Sequence, residues 1–152
     1  MIRNELITNK LRIIISLIMI CSSISLAGGF EISVKDPGSL NAFLIVIPDG
    51  CHQPENAKIY GSAEGIINGE RKSIKLQFTK NEGGVFTLPK QWPDEGVWVL
   101  VINGTYRGLK RSAIIEVGKN EKSINGSVKK MNREVSSVDI ETALKKLKEK
   151  YS

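Results

Sequence analysis

Turn-forming residues recur about every 8–12 positions through residues 28–118, and they leave only short apolar runs between them. Asp36-Pro37-Gly38, Pro48-Asp49-Gly50, Asn68-Gly69, residues 81–84, residues 92–96 and Asn103-Gly104 all carry such signals. Few of the intervals are long enough for a helix with a continuous stripe. The intervals are instead strand-like. Residues 31–35 (EISVK) alternate apolar and charged side chains, the period of a half-buried strand. Ile74, Leu76 and Phe78 alternate with Lys75, Gln77 and Thr79 in the same way. Residues 42–47 (AFLIVI) form a continuous apolar run, the pattern of a strand buried on both faces, and 97–102 (VWVLVI), the most β-prone run of the chain, is too apolar for an edge and reads as a central strand with Trp98 inward. Asn-Gly tolerates the positive φ of a type I′ turn, so hairpins are expected at Asn68-Gly69 and at Asn103-Gly104. Residues 51–56 (CHQPEN) read as a loop. Six to eight short strands with these connections predict a mainly β domain, an antiparallel β-sandwich, with a closed barrel as the alternative.

The segments on either side differ. Residues 1–27 combine a basic stub (Arg3, Lys10 and Arg12 against Glu5), an apolar run at 13–21, and a small-residue exit with Ser25 and Ala27. Those are the parts of a secretory signal peptide, read as a signal helix cleaved after Ala27. The apolar run is short of the about 20 residues of a membrane-spanning helix. Acylation at Cys21 would want a small residue before it, where Ile20 stands. The mature chain is therefore expected in the periplasm or outside the cell. At the other end, residues 119–135 are polar and read as a linker. Residues 136–152 read as an amphipathic helix. Ser136 is its N-cap, Asp139 stands at N3, and Val135 with Ile140 forms a hydrophobic staple. Ile140, Ala143, Leu144, Leu147 and Tyr151 fall on one stripe, which either docks on the sandwich or meets a partner or an anionic membrane surface.

Charge narrows the function. Residues 28–118 hold ten bases and ten acids, so the globular part is neutral. The net +4 of the mature chain lies in 119–152, with nine bases and five acids. Nucleic acid is not an expected partner of such a domain. Loss of Cys21 with the signal peptide leaves Cys51 alone, so no internal disulfide can form.

The segments GCHQPENAKIYGSAEGIINGERKS, GVF and QWPDEGVWVL resemble small secreted bacterial proteins of unassigned function. More loosely they resemble the immunoglobulin-like or transthyretin-like sandwich modules of exported bacterial proteins. The resemblance spans roughly residues 42–117. It implies an immunoglobulin-like sandwich that binds, spaces or assembles, and it brings no catalytic residue.

Candidate site residues are few. Cys51 and His52 adjoin, and a thiolate with an imidazole suits copper or zinc. His52 is the one histidine of the chain and Met131 a remote third donor, which falls short of the four ligands of a structural zinc site. Nucleophilic catalysis by Cys51 would need an oriented base. Glu55, Glu64, Glu70, Asp94 and Glu95 offer carboxylates for a paired acid and base, though most flank turns. Trp98 reads as core, while Trp92, in a corner before Pro93, is a candidate ligand platform unless it folds onto the end of the sandwich. No catalytic residue, cofactor or metal is assigned. The sequence points to an exported, non-enzymatic binding or assembly module whose partner is a protein or envelope component. The alternative is a periplasmic metal-handling or thiol-redox protein using Cys51 and His52.

Overall fold

A computed structural model describes residues 29–38, 41–118 and 128–151. The segment read as a signal peptide lies outside them. The described chain is mainly β: two antiparallel sheets and one C-terminal helix. The strands are β1 (Glu31–Lys35), β2 (Leu44–Asp49), β3 (Lys58–Ile67), β4 (Glu70–Lys75), β5 (Thr79–Lys80), β6 (Phe86–Leu88), β7 (Val97–Tyr106), β8 (Leu109–Val117) and β9 (Val128–Met131). The helix, α1, spans Ser137–Tyr151. One sheet has the order β1-β2-β6-β5 and the other β4-β3-β7-β8-β9, so the strands form two open sheets and not a closed barrel.

The sheets share one core. Phe30, Ile32, Leu44, Val46, Phe86 and Leu88 come from the first, and Ala63, Trp98, Leu100, Ile102, Ile115 and Val117 from the second. Strand β7 is central in its sheet, as its unbroken apolar run predicts, and it is buried on both faces. Its odd-numbered valines, Val97, Val99 and Val101, point away from the first sheet. There, with Ile114, they pack under Ala143, Leu144 and Leu147 of α1. Helix docking thus explains why a strand in a two-sheet protein loses its alternation.

The hairpin at Asn68-Gly69 forms as expected. Both residues have positive φ (49° and 84°), and Ile67 stands opposite Glu70. The second expected hairpin does not form at Asn103-Gly104. Strand β7 runs through both residues, and the chain reverses at Arg107-Gly108, with φ of 47° and 81°. Asn103 accepts a 2.7 Å hydrogen bond from the Ser112 hydroxyl on β8. Gly104 is glycine for lack of room: a Cβ there would lie 2.8 Å from Ile32 and 2.9 Å from Phe30. The pair serves strand packing.

Three further expectations are corrected. Strand β2 is covered on one face, with Leu44, Val46 and Pro48 buried while Ile45 and Ile47 are only half-buried. It also continues through Pro48, which lies beyond the stretch paired with β6, where a missing N–H costs no ladder bond. The alternating run that starts at Glu70 leaves its sheet after Lys75. Leu76 and Phe78 then reach the core as the chain crosses to β5 in the other sheet. The backbone freed at this crossing is held by Gln91, whose side-chain amide donates to the Gln77 carbonyl (2.8 Å) and accepts from the Gln77 N–H (2.9 Å). Finally, part of the segment read as linker, residues 119–135, is structured. Val128–Met131 is β9, paired along β8 from Ser112 to Ile115, with Val128 against the inter-sheet core and Met131 against the helix core.

The helix start follows its sequence signal. Ser136 and Asp139 form a reciprocal cap: the Asp139 N–H donates to the Ser136 hydroxyl (3.3 Å) and the Ser136 N–H to the Asp139 carboxylate (2.9 Å). Arg133 donates two hydrogen bonds to the same carboxylate (2.6 and 2.9 Å). The guanidinium, the cap hydroxyl and the cap N–H together hold the Asp139 carboxyl well below the usual carboxylate range.

Candidate functional site: the loop end around Cys51

Antiparallel order brings several loops to one end of the molecule. Strands β2, β5 and β7 finish there, and β3, β6 and β8 begin there. The end therefore collects residues 50–57, residues 81–85 and the Arg107-Gly108 turn. Two of these loops are braced against each other. The Lys80 ammonium donates to the Glu55 carbonyl at 2.5 Å. Gly84, at φ 75°, lies so close to Pro54 that a Cβ would sit 2.5 Å from its carbonyl carbon. Within the first loop, Pro54–Asn56 makes a short 3₁₀ turn, closed by Asn56 N–H to the Gln53 carbonyl (3.0 Å) and tied again between their side-chain amides (3.0 Å). His52, Gln53, Glu55, Asn81 and Glu82 are exposed on this frame.

The first loop separates Cys51 from His52. Cys51 is a free, half-buried thiol resting on the inter-sheet core, while His52 is exposed. Burial pushes the Cys51 thiol up from its ordinary pKa, and the nearby Asp49 and Glu55 charges add to this against a backbone hydrogen bond that lowers it. A thiol held protonated is a poor nucleophile and a poor metal ligand. Among the described residues no three His, Cys, Asp or Glu side chains gather as a metal-binding group. Three of the five carboxylates considered for acid and base roles are engaged elsewhere. Glu64 accepts from Arg71 (3.3 Å) and Ser73 (2.8 Å), Glu70 pairs with Lys72, and Asp94 pairs with Lys90.

Trp92 is not a ligand platform. It is 4% exposed and meets Phe43 edge-on, with ring centroids 4.8 Å apart at 84°. It plugs the opposite end of the molecule, so its ring has no open face for a ligand. Trp98 takes the core position expected of it. It is 1% exposed, lies on Gly65 across the β3–β7 ladder, and donates its indole N–H to the Glu95 carbonyl at 2.8 Å.

Two further features have no counterpart in the sequence reading. Tyr60 on β3 donates to Glu134 (2.5 Å), which also accepts from Lys110 on β8 (2.7 Å). The shared carboxylate pushes the Tyr60 phenol up to about 12, and its two donors hold Glu134 below its ordinary value. This cluster fastens the turn between β9 and α1 onto the sheet. A groove of about 160 Å³ runs between α1 and the β8–β9 edge, with Ile114 and Ala143 as its apolar floor. Lys146 crosses it to Glu116 at 2.9 Å. Both features depend on β9, whose four residues carry two lysines and give no periodic signal.

Among the described residues no helix is long and apolar enough to cross a membrane. Comparison with known proteins finds no matching family model, no matching curated protein and no matching solved structure.

Proposed function

We propose that this chain is an exported, non-enzymatic binding or assembly module of the immunoglobulin-like kind, and that it meets a protein or envelope component through the loop end around Cys51. The observation that carries the reading is the mutual bracing of residues 50–57 and 81–85 by Lys80 and Gly84, beneath exposed His52, Gln53, Glu55 and Glu82. Loops held rigidly on a sheet frame lose little entropy on binding and are a common place for recognition in two-sheet folds. The basic stub, apolar run and Ser25/Ala27 exit support export, with a mature chain beginning at Gly28. The raised Cys51 thiol favours a packing role for that residue over a redox or metal-handling one.

The test is capture from envelope fractions by immobilised mature protein, compared with a His52→Ala/Gln53→Ala/Glu82→Ala variant. The reading expects discrete bound proteins or envelope polymers that the triple variant loses and a variant altered on the exposed face of α1 keeps. Retention by the loop variant together with loss by the helix variant overturns it. N-terminal sequencing of exported protein should begin at Gly28; a chain that retains Met1 contradicts the export step.

A further inference from the structure

Among the described residues the two sheets end in four edge strands, and three of these are poor templates for another strand. β5 offers only two residues. β4 carries Lys72 on the row of Gly65 and Trp98, and β9 carries Lys130 on the row of the buried Ala113; both rows face the inter-sheet side. A strand extending either sheet would bury that lysine, a device that discourages edge pairing. β1 is different. It has five residues, its inward row is Ile32 and Val34, and it holds no proline and no inward charge. Among the described residues β2 is its one strand partner, so the backbone groups of its other edge stay open.

The space beside that edge lies over β9. β1 packs against β8, and the five-stranded sheet continues past it to β9, so the first sheet is one strand short there. A gap of about 40 Å³ opens at this place, lined by Ile32 of β1, Arg111 of β8 and Lys130 and Met131 of β9. Register sets Arg111 across from Gly104, whose missing Cβ faces Ile32 and Phe30, so the arginine stands on the inward row. Val128 shares its row with Lys130 and packs half-buried against the inter-sheet core. The charges do not cancel. Lys130 meets Glu31 at 3.7 Å, whereas Arg111 donates to the neighbouring Lys110 carbonyl and pairs with no carboxylate among the described residues. Two cations thus share one acid.

We propose that β1 is a docking edge for an extended segment of a partner protein, which joins the four-stranded sheet as a further strand and lies over β9. Backbone hydrogen bonds to β1 supply the affinity, and alternate side chains supply the selectivity. On the inward row of the segment an apolar residue meets Val128, and an acidic residue meets Arg111 and Lys130. About five residues, roughly 17 Å at about 3.3 Å each, match the length of β1. The occupant is a partner segment and not β1 of a second copy, because the inward row of β1 is Ile32 and Val34 and offers the two cations no acid. The edge is a different surface from the loop end and stands independently of the binding role proposed above.

Amide hydrogen exchange by nuclear magnetic resonance tests this, with a synthetic heptapeptide of alternating threonine and inward residues valine, glutamate and valine as the probe. In the free protein the amides on the open edge of β1 should exchange freely. Millimolar peptide should protect them, and the same peptide with prolines in its centre should not. A peptide with valine in place of glutamate should bind about ten-fold more weakly. Arg111→Gln with Lys130→Gln should abolish that preference while leaving binding of the all-valine peptide unchanged. Near-ultraviolet circular dichroism of Trp98 verifies that the double variant folds, and the comparison of the two peptides on the unaltered protein serves if it does not. Open-edge amides already protected in dilute free protein overturn the proposal, since another segment of this chain then fills the edge. So does protection that rises with protein concentration alone, which marks a second copy. Absence of protection by millimolar glutamate peptide, or equal binding of the two peptides, overturns it as well.

Discussion

On one side of β7, Trp98, Leu100 and Ile102 meet side chains of the other sheet; on the other, Val97, Val99 and Val101 meet Ala143, Leu144 and Leu147 of α1. The inter-sheet side is rich in aromatic rings and relies on glycines to make room for them. Gly65 lies under Trp98, where a Cβ would come within 2.4 Å of the ring, and Gly104 lies under Phe30 and Ile32. The helix side is aliphatic, rests on a single element, and is rimmed by ion pairs: Arg71 with Glu64 and Glu141 (3.3 Å each), and Lys146 with Glu116. The first core exists only when strands distant in sequence have assembled. The second is a layer added to a finished sheet. The inter-sheet core therefore carries the cooperative stability of the domain, and the helix can loosen without dissolving it.

The sharpest way to break this contrast is Trp98→Ala. It empties the hollow over Gly65 and should cost about 3–5 kcal/mol in urea unfolding, as large aromatic truncations in cores do. A loss below about 1 kcal/mol would mean that the indole does not organise this core. Next in size is Leu144→Ala in the helix layer, expected at about 2–3 kcal/mol, toward the low end for such truncations because a helix on a sheet face can resettle. Near-ultraviolet dichroism of Trp98 should survive that change. Simultaneous loss of the tryptophan signal would show that the two cores melt as one. Ser136→Ala removes the hydroxyl half of the cap and should cost about 1 kcal/mol, read as a drop in helical dichroism with the sheets intact.

The smallest effect is that of acid. The folded Asp139 carboxyl is depressed, so its contribution is complete above the ordinary carboxylate pKa of about 3.9 and is lost as pH falls below that toward the folded value. Acid titration followed by helical dichroism should show α1 fraying in that range. Asp139→Asn, which loses the charge attraction of Arg133, should flatten the response.

What the sequence made legible was local. The Asn68-Gly69 turn, the Ser136 cap and the helix stripe each depend on residues within a few positions, and each appears where its chemistry puts it. The central place of β7 was legible too, but its burial on both faces was not: that pattern was read at residues 42–47, where the structure buries one face of β2. Other features were set by distant partners and were hidden. Asn103-Gly104 carries the same signal as Asn68-Gly69, but Ser112 and the Phe30–Ile32 pair claim it for the strand. Trp92 beside Pro93 could fold onto the end of the sandwich or face a ligand, and it is Phe43, far back in the chain, that takes its edge and decides between them. Strand β9 exists because β8 offers it an edge, not because of its composition. At the candidate site, the type and loop position of Cys51 and His52 were legible. The bracing by Lys80 and Gly84, which holds that loop against residues 81–85, was not.

The connection order has a consequence for how the molecule comes into being. α1 follows every strand among the described residues. During synthesis, which delivers the chain from its N-terminus, both sheets can close while Val97, Val99, Val101 and Ile114 are still bare. For that interval the outer valines form a greasy plane open to a chaperone or to another nascent copy. The arriving helix then acts as a built-in seal, and its lateness sets how long the half-made domain stays vulnerable to aggregation.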